Sequence, residues 1–81
     1  IYKIKNYKLE NNCFLSKDNK KLEQLESLTT LELNNNKLTE LDFSCPKSVT
    51  VLLLNGNKVT KISENFFVNC INLVKVELDK N

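Results

Sequence analysis

The 81-residue chain has no histidine and no arginine, and only one glycine and one proline. Without histidine the commonest general base is missing, and the sequence offers no metal-ligand cluster in its place. Carboxylate pairs such as Glu40 and Asp42 alternate along what reads as a solvated edge. Neither an enzymatic role nor a cofactor or metal is therefore expected. Without arginine there are no planar forks for phosphates or base edges, and 12 lysines interleave with 10 acids to leave a net charge of +2. Nucleic-acid binding is not expected. No apolar run approaches the roughly 18 residues of a membrane span. No signal peptide is present, although a mature or excised chain would have lost one. No N-x-S/T sequon occurs among thirteen asparagines. About one or two would arise by chance, so this leans only slightly against a glycosylated animal ectodomain.

What is present is repetition. Leu28 to Leu41 reads LTTLELNNNKLTEL, and Val49 to Ile62 reads VTVLLLNGNKVTKI. Apolar residues at Leu28, Leu31, Leu33, Leu38 and Leu41 recur as Val49, Leu52, Leu54, Val59 and Ile62. Upstream, Ile4, Tyr7, Leu9 and Phe14 fall into the same columns, and downstream so do Leu73, Val76 and Leu78. Taking four columns in each of the first three copies and three in the last, fifteen positions are all apolar in a chain that is 41% hydrophobic. Chance agreement is on the order of one in a million before freedom of alignment is allowed for. Asn12, Asn36, Asn57 and Asn81 share one column, spaced by 24, 21 and 24. The copies run over about 4–27, 28–48, 49–72 and, in part, 73–81. A period of this length predicts a solenoid.

The physics of one copy supports that expectation. A stretch such as Leu31-Glu32-Leu33 alternates like a strand but is too short to stand alone. Stacked copies would pair such strands in parallel and bury the leucines in one columnar core. The asparagines that follow favour a turn, and an amide can both donate to and accept from backbone groups left unpaired at a corner. Asn35 flanks that corner where Gly56 stands one copy later, so a tight or left-handed turn is expected there.

These residues resemble the leucine-rich repeat, L-x-x-L-x-L-x-x-N-x-L, over nearly the whole chain. The resemblance implies an α/β solenoid with short parallel strands on the concave face and irregular or short helical crossings on the convex face. It also implies an asparagine ladder through Asn12, Asn36, Asn57 and Asn81. Lys17 stands where later copies have Leu41 and Ile62, so the far side of the first copy is expected to be irregular or to act as a cap. The segment with Phe67, Asn69, Cys70 and Leu73 resembles the F-x-N-C-x-x-L crossing of BspA-like repeats. It is similar also to the crossing of typical extracellular repeats, with Cys70 in the usual leucine position. Both subfamilies are mostly secreted or displayed at surfaces, so an extracellular or cell-surface setting is expected, with a cytoplasmic scaffold as the alternative.

The crossings differ between copies. Leu22, Leu25 and Leu28 recur at three, which predicts a short helix or 3₁₀ turn begun by Ser16 or Asp18. FSCPKS contains Pro46 and predicts an extended or turn-like crossing. In the third copy Phe67 is expected in the core and Phe66 at the surface, since adjacent rings do not easily both point inward. Cys45 and Cys70 precede successive copies and should occupy similar places. They read either as small buried thiols or as a disulfide between adjacent copies. Cys13 should be partly exposed and could pair outside the segment.

Residues between the leucines should form a grid on the strand face. They are Asn6, Lys8 and Glu10; Thr30, Glu32 and Asn34; Val51, Leu53 and Asn55; and Lys75, Glu77 and Asp79. The grid is polar except at Val51 and Leu53. The string VTVLLL suggests burial on both faces. Two readings stand: tolerated exposure of β-forming residues, or an apolar anchor with a polar rim for a protein partner. The chain begins at Ile1 rather than methionine and its last copy breaks off at Asn81, so a processed chain or a piece of a longer array is expected. Uncapped copies expose leucines, so instability or end-to-end self-association is expected of the segment alone. The function expected is non-catalytic protein interaction, of a recognition, adhesion or immune type. The alternatives are spacer or cap repeats, or an intracellular scaffold or regulatory subunit.

Overall fold

Each strand here is two or three residues long, because the alternating apolar stretch runs at once into turn-forming residues. A computed structural model of the chain describes residues 6–8, as a strand, and residues 25–81. The expectations placed on Glu10, Asn12, Cys13, Phe14, Lys17 and Leu22, with the turn begun by Ser16 or Asp18, lie outside those residues. The strands are β1 (Asn6–Lys8), β2 (Thr30–Glu32), β3 (Glu40–Leu41), β4 (Val51–Leu53), β5 (Lys61–Ile62) and β6 (Lys75–Glu77). One 3₁₀ turn spans Phe67–Asn69, and there is no α-helix among the described residues.

Two parallel sheets result. The larger has the order β1-β2-β4-β6 and the smaller pairs β3 with β5. The larger sheet aligns Tyr7 with Leu31, Leu31 with Leu52, and Leu52 with Val76. The smaller aligns Leu41 with Ile62. Parallel neighbours need a crossover, and the copy length of 21 to 24 residues supplies it.

The leucine columns form the core. Leu28, Leu31, Leu33, Leu41, Val49, Leu52 and Leu54 are fully buried, and Leu38 and Phe43 nearly so. Each such side chain contributes about 1.5–3 kcal/mol by leaving water. The columns open along the third and fourth copies. Ile62 of the third is 42% exposed, and Val76 and Leu78 of the fourth are 36% and 37% exposed. Among the described residues β5 and β6 each have a neighbour on one side only.

The corner after each strand uses the left-handed region. Asn35 has φ 59°, Gly56 71° and Lys80 59°, three residues in one column. Glycine adopts this conformation freely and asparagine tolerates it, whereas a lysine there costs about 1 kcal/mol. That resolves the run Asn34-Asn35-Asn36: its middle member turns the chain. Lys37 is left-handed too, with φ 59°.

The two phenylalanines of the third crossing are reversed from expectation. Phe66 is 5% exposed and Phe67 42%. Phe66 sits just before the 3₁₀ turn and sets its ring edge-on to buried Phe43, with centroids 5.1 Å apart. Phe67 packs edge-on against the outer side of Phe66 at 5.0 Å. The interior position is thus decided by the ring already in place on the preceding copy, which periodicity within one copy does not reveal.

Candidate functional site

The grid residues that lie in paired strands come together in two rows. One row is Asn6, Thr30, Val51 and Lys75; the other is Lys8, Glu32, Leu53 and Glu77. The row between them carries Tyr7, Leu31, Leu52 and Val76, and Leu31 and Leu52 are fully buried on the opposite face. Alternation along each strand therefore leaves Thr30, Glu32, Val51 and Leu53 half-buried on the face away from the core. Val51 and Leu53 are not buried on both sides. They form an apolar pair on β4, with Glu32 beside Leu53 on one flank and Glu77 on the other.

The charged rim is organised by hydrogen bonds. Lys75 Nζ lies 3.1 Å from Glu77 Oε2, and Asn55 Nδ2 donates to Glu77 Oε1 at 2.9 Å. The amide of Asn55 and then the ammonium of Lys75 hold the Glu77 carboxyl below its ordinary pKa. Glu77 is thus a fixed anion at neutral pH.

Asn34 and Asn55 have a further task that the grid reading did not include. Asn34 Oδ1 accepts from Asn55 N at 2.8 Å, and Asn55 Oδ1 accepts from Asp79 N at 2.8 Å. This is a second line of asparagines, parallel to the first. The first line runs through the corner. Asn57 Oδ1 accepts from Asn36 N at 2.9 Å and Leu38 N at 3.0 Å. Its Nδ2 donates to Leu33 O and Leu54 O, both at 2.9 Å. Asn81 repeats this one copy later, with Val59 N donating to Oδ1 at 3.1 Å and Nδ2 donating to Leu54 O at 2.9 Å. Asn36 and Asn57 are 1% and 3% exposed. The only sequence sign of the second line is the column Asn34, Asn55, Asp79, all residues that can accept through a short side chain.

On the opposite side, Cys45 and Cys70 are both buried and both free, so the disulfide reading does not describe them. Cys45 donates its thiol hydrogen to the sulfur of Cys70, and Cys70 Sγ donates to Phe66 O at 3.3 Å. Each thiol has a partner without a covalent bond. Burial first, and then the neighbouring Cys70, push the Cys45 thiol well above its ordinary value of 9.0. Burial also raises Cys70, offset in part by the hydrogen bond from Cys45.

The second sheet brings Glu40 beside Lys61, 3.8 Å apart, and both are solvated enough that the pair adds little. Among the described residues no helix is long and apolar enough to cross a membrane. Compared with family models, curated proteins and solved structures, the chain matches none of them.

Proposed function

We propose that the chain is a leucine-rich repeat solenoid segment that acts as a non-catalytic protein-interaction module. Its binding surface is the outer face of the four-stranded sheet, taken as the concave face. The observation that carries the reading is the half-buried pair Val51 and Leu53 at the centre of an otherwise polar face. An apolar centre with a charged rim is the usual anatomy of a protein-binding patch. Glu32 and the anchored Glu77 flank the pair, so a partner with an apolar anchor between basic groups fits it best. The same reading takes the asparagine columns as scaffold and assigns no cofactor. It places the protein outside the cell or at its surface, in a recognition or adhesion role. Mass measurement of unreduced protein tests that placement, since all thiols free would favour the cytoplasmic alternative.

The test of the site is capture of partners from the native extract or fluid by wild type and by a Val51→Glu, Leu53→Glu variant. Circular dichroism first shows that both are folded. Both side chains are half-exposed, so the variant is expected to fold. A protein retained by wild type alone supports the reading. Equal capture by both, or none by either, moves binding off this face and favours spacer repeats. Loss of folding in the variant would make the two residues part of the core.

A further inference from the structure

Asn55 precedes Gly56, the only glycine in the chain. The array dictates both residues. Asn55 belongs to the second asparagine line, where its Oδ1 accepts from Asp79 N at 2.8 Å. Gly56 turns the corner with φ 71°, and a Cβ added there would run into the Asn35 side chain of the copy before. A side chain is therefore excluded at that corner on two grounds. The asparagine is thus followed by the one residue type that leaves its carboxamide open to attack by the next backbone nitrogen. Every other asparagine before Asn81 is followed by a residue with a side chain, which hinders that approach.

The fold holds this dipeptide closed. Attack requires a free Gly56 N–H, a carboxamide able to swing toward it, and a departing Nδ2. Gly56 N donates to Asp79 O at 2.9 Å. Asn55 Oδ1 is engaged by Asp79 N, and Asn55 Nδ2 donates to Glu77 Oε1 at 2.9 Å. These partners all belong to the fourth copy. Lifting β6 and its corner from β4 therefore frees all of the reacting groups at once.

We propose that Asn55 is a latent modification site, converted to aspartate and isoaspartate through the Gly56 nitrogen whenever the fourth copy lifts from the third. The step needs water alone. Gly56 N gives up its proton and bonds to Asn55 Cγ. The Cγ–Nδ2 bond breaks, and Nδ2 takes a proton from water and leaves as ammonia. Water then opens the cyclic imide, at Cγ to give isoaspartate's isomer aspartate with the main chain restored, or at the backbone carbonyl to give isoaspartate. One water enters and one ammonia leaves, with nothing oxidised or reduced. Either product weakens the return of the fourth copy. Aspartate has no Nδ2 to offer Glu77 and sets a second carboxylate beside it. Isoaspartate adds a carbon to the main chain between Leu54 and Gly56, whose amides donate to Glu77 O and Asp79 O. Those two bonds then no longer share one register. A reversible opening is thereby turned into a permanent change. The proposal rests on these bonds and needs neither the partner face nor the proposed function.

The test incubates the 81-residue chain at mildly alkaline pH in buffer and in guanidinium chloride. Peptide mass spectrometry follows Asn55, and the methyltransferase that modifies isoaspartyl residues counts that product. In denaturant Asn55 should be the first asparagine lost. In buffer, with the chain shown folded by circular dichroism, its loss should be slower by about tenfold or more, since only opened molecules react. Glu77→Ala frees Nδ2, so it should speed the loss in buffer and leave the rate in denaturant unchanged. If that variant does not fold, the wild-type comparison decides alone. Equal rates in buffer and denaturant overturn the proposal, as does a chain unfolded in buffer, which has no closed state. Earlier loss of another asparagine in denaturant overturns it too, because Asn55 is then not the labile site. So does a folded Glu77→Ala that reacts no faster than wild type, because the fourth copy is then not what closes the site.

Discussion

Replacing Asn57 with alanine removes one small side chain and strands several backbone groups. The amide serves Asn36 N, Leu38 N, Leu33 O and Leu54 O from a site only 3% exposed. Leu54 O keeps a partner, because Asn81 Nδ2 also donates to it. Leu38 N and Leu33 O are then stranded and Asn36 N loses this bond, each at about 1–3 kcal/mol, and a water admitted to the void recovers part of that. The expected loss is about 3–5 kcal/mol. An 81-residue domain has about 4–12 kcal/mol in total, so the variant should sit close to its unfolding midpoint in plain buffer. Asn81→Ala is the control. It breaks the same kind of bonds at an exposed position, where water substitutes, and should cost below about 1 kcal/mol. Asn57→Asp keeps the acceptor, loses both donors and buries a charge, so it should be no better than alanine. Urea unfolding followed by circular dichroism measures all three. Equal costs for Asn57→Ala and Asn81→Ala, or a cost below about 1 kcal/mol for the former, would refute the reasoning.

Two further outcomes are expected. Phe66→Ala should cost about 3–5 kcal/mol in thermal unfolding and Phe67→Ala about 1 kcal/mol or less, the reverse of what spacing alone suggests. Equal costs would mean that both rings share the interior. Cys45 and Cys70 should resist iodoacetamide in the folded chain and react once it is unfolded. Both folded-state pKa values lie above the ordinary 9.0, so the unfolded chain releases thiol protons first. Their contribution is whole below 9.0 and falls as pH rises beyond it, by up to about 1.4 kcal/mol at pH 10 for Cys45, with Cys70 adding in the same direction. A Cys45→Val, Cys70→Val variant should lose this slope, and an unchanged slope would assign the alkaline loss to other groups.

The parallel pairing was legible because its cause is local and repeated. Leu31, Leu52 and Val76 could be aligned by eye, and the strands pair in that register. The left-handed corner was legible too, since Gly56 stands over Asn35 and few other residue types accept that backbone. What stayed hidden depends on contacts between copies. Which of Phe66 and Phe67 turns inward is set by Phe43, which belongs to the copy before. That Asn34 and Asn55 spend their amide oxygens on the next copy cannot be told from their surface position in a single strand. The short sheet of β3 and β5 went unforeseen because two residues make no visible alternation. The outer face of the sheet was legible as a grid, whereas the half-burial of Val51 and Leu53 emerges only when neighbouring strands are in place.

The side-chain oxygens of Asn57 and Asn81 both face one way along the array. Each amide oxygen accepts from the corner one copy earlier, never from the copy that follows. The molecule therefore has a polarity that its strands alone would not give it. A copy is finished not by its own residues but by its successor, so each corner is held only as firmly as the asparagine of the copy that follows it. In hydrogen exchange this becomes a gradient. The amides of Asn36 and Leu38, held by a buried Asn57, should exchange slowly. That of Val59, held by the exposed Asn81, should exchange early.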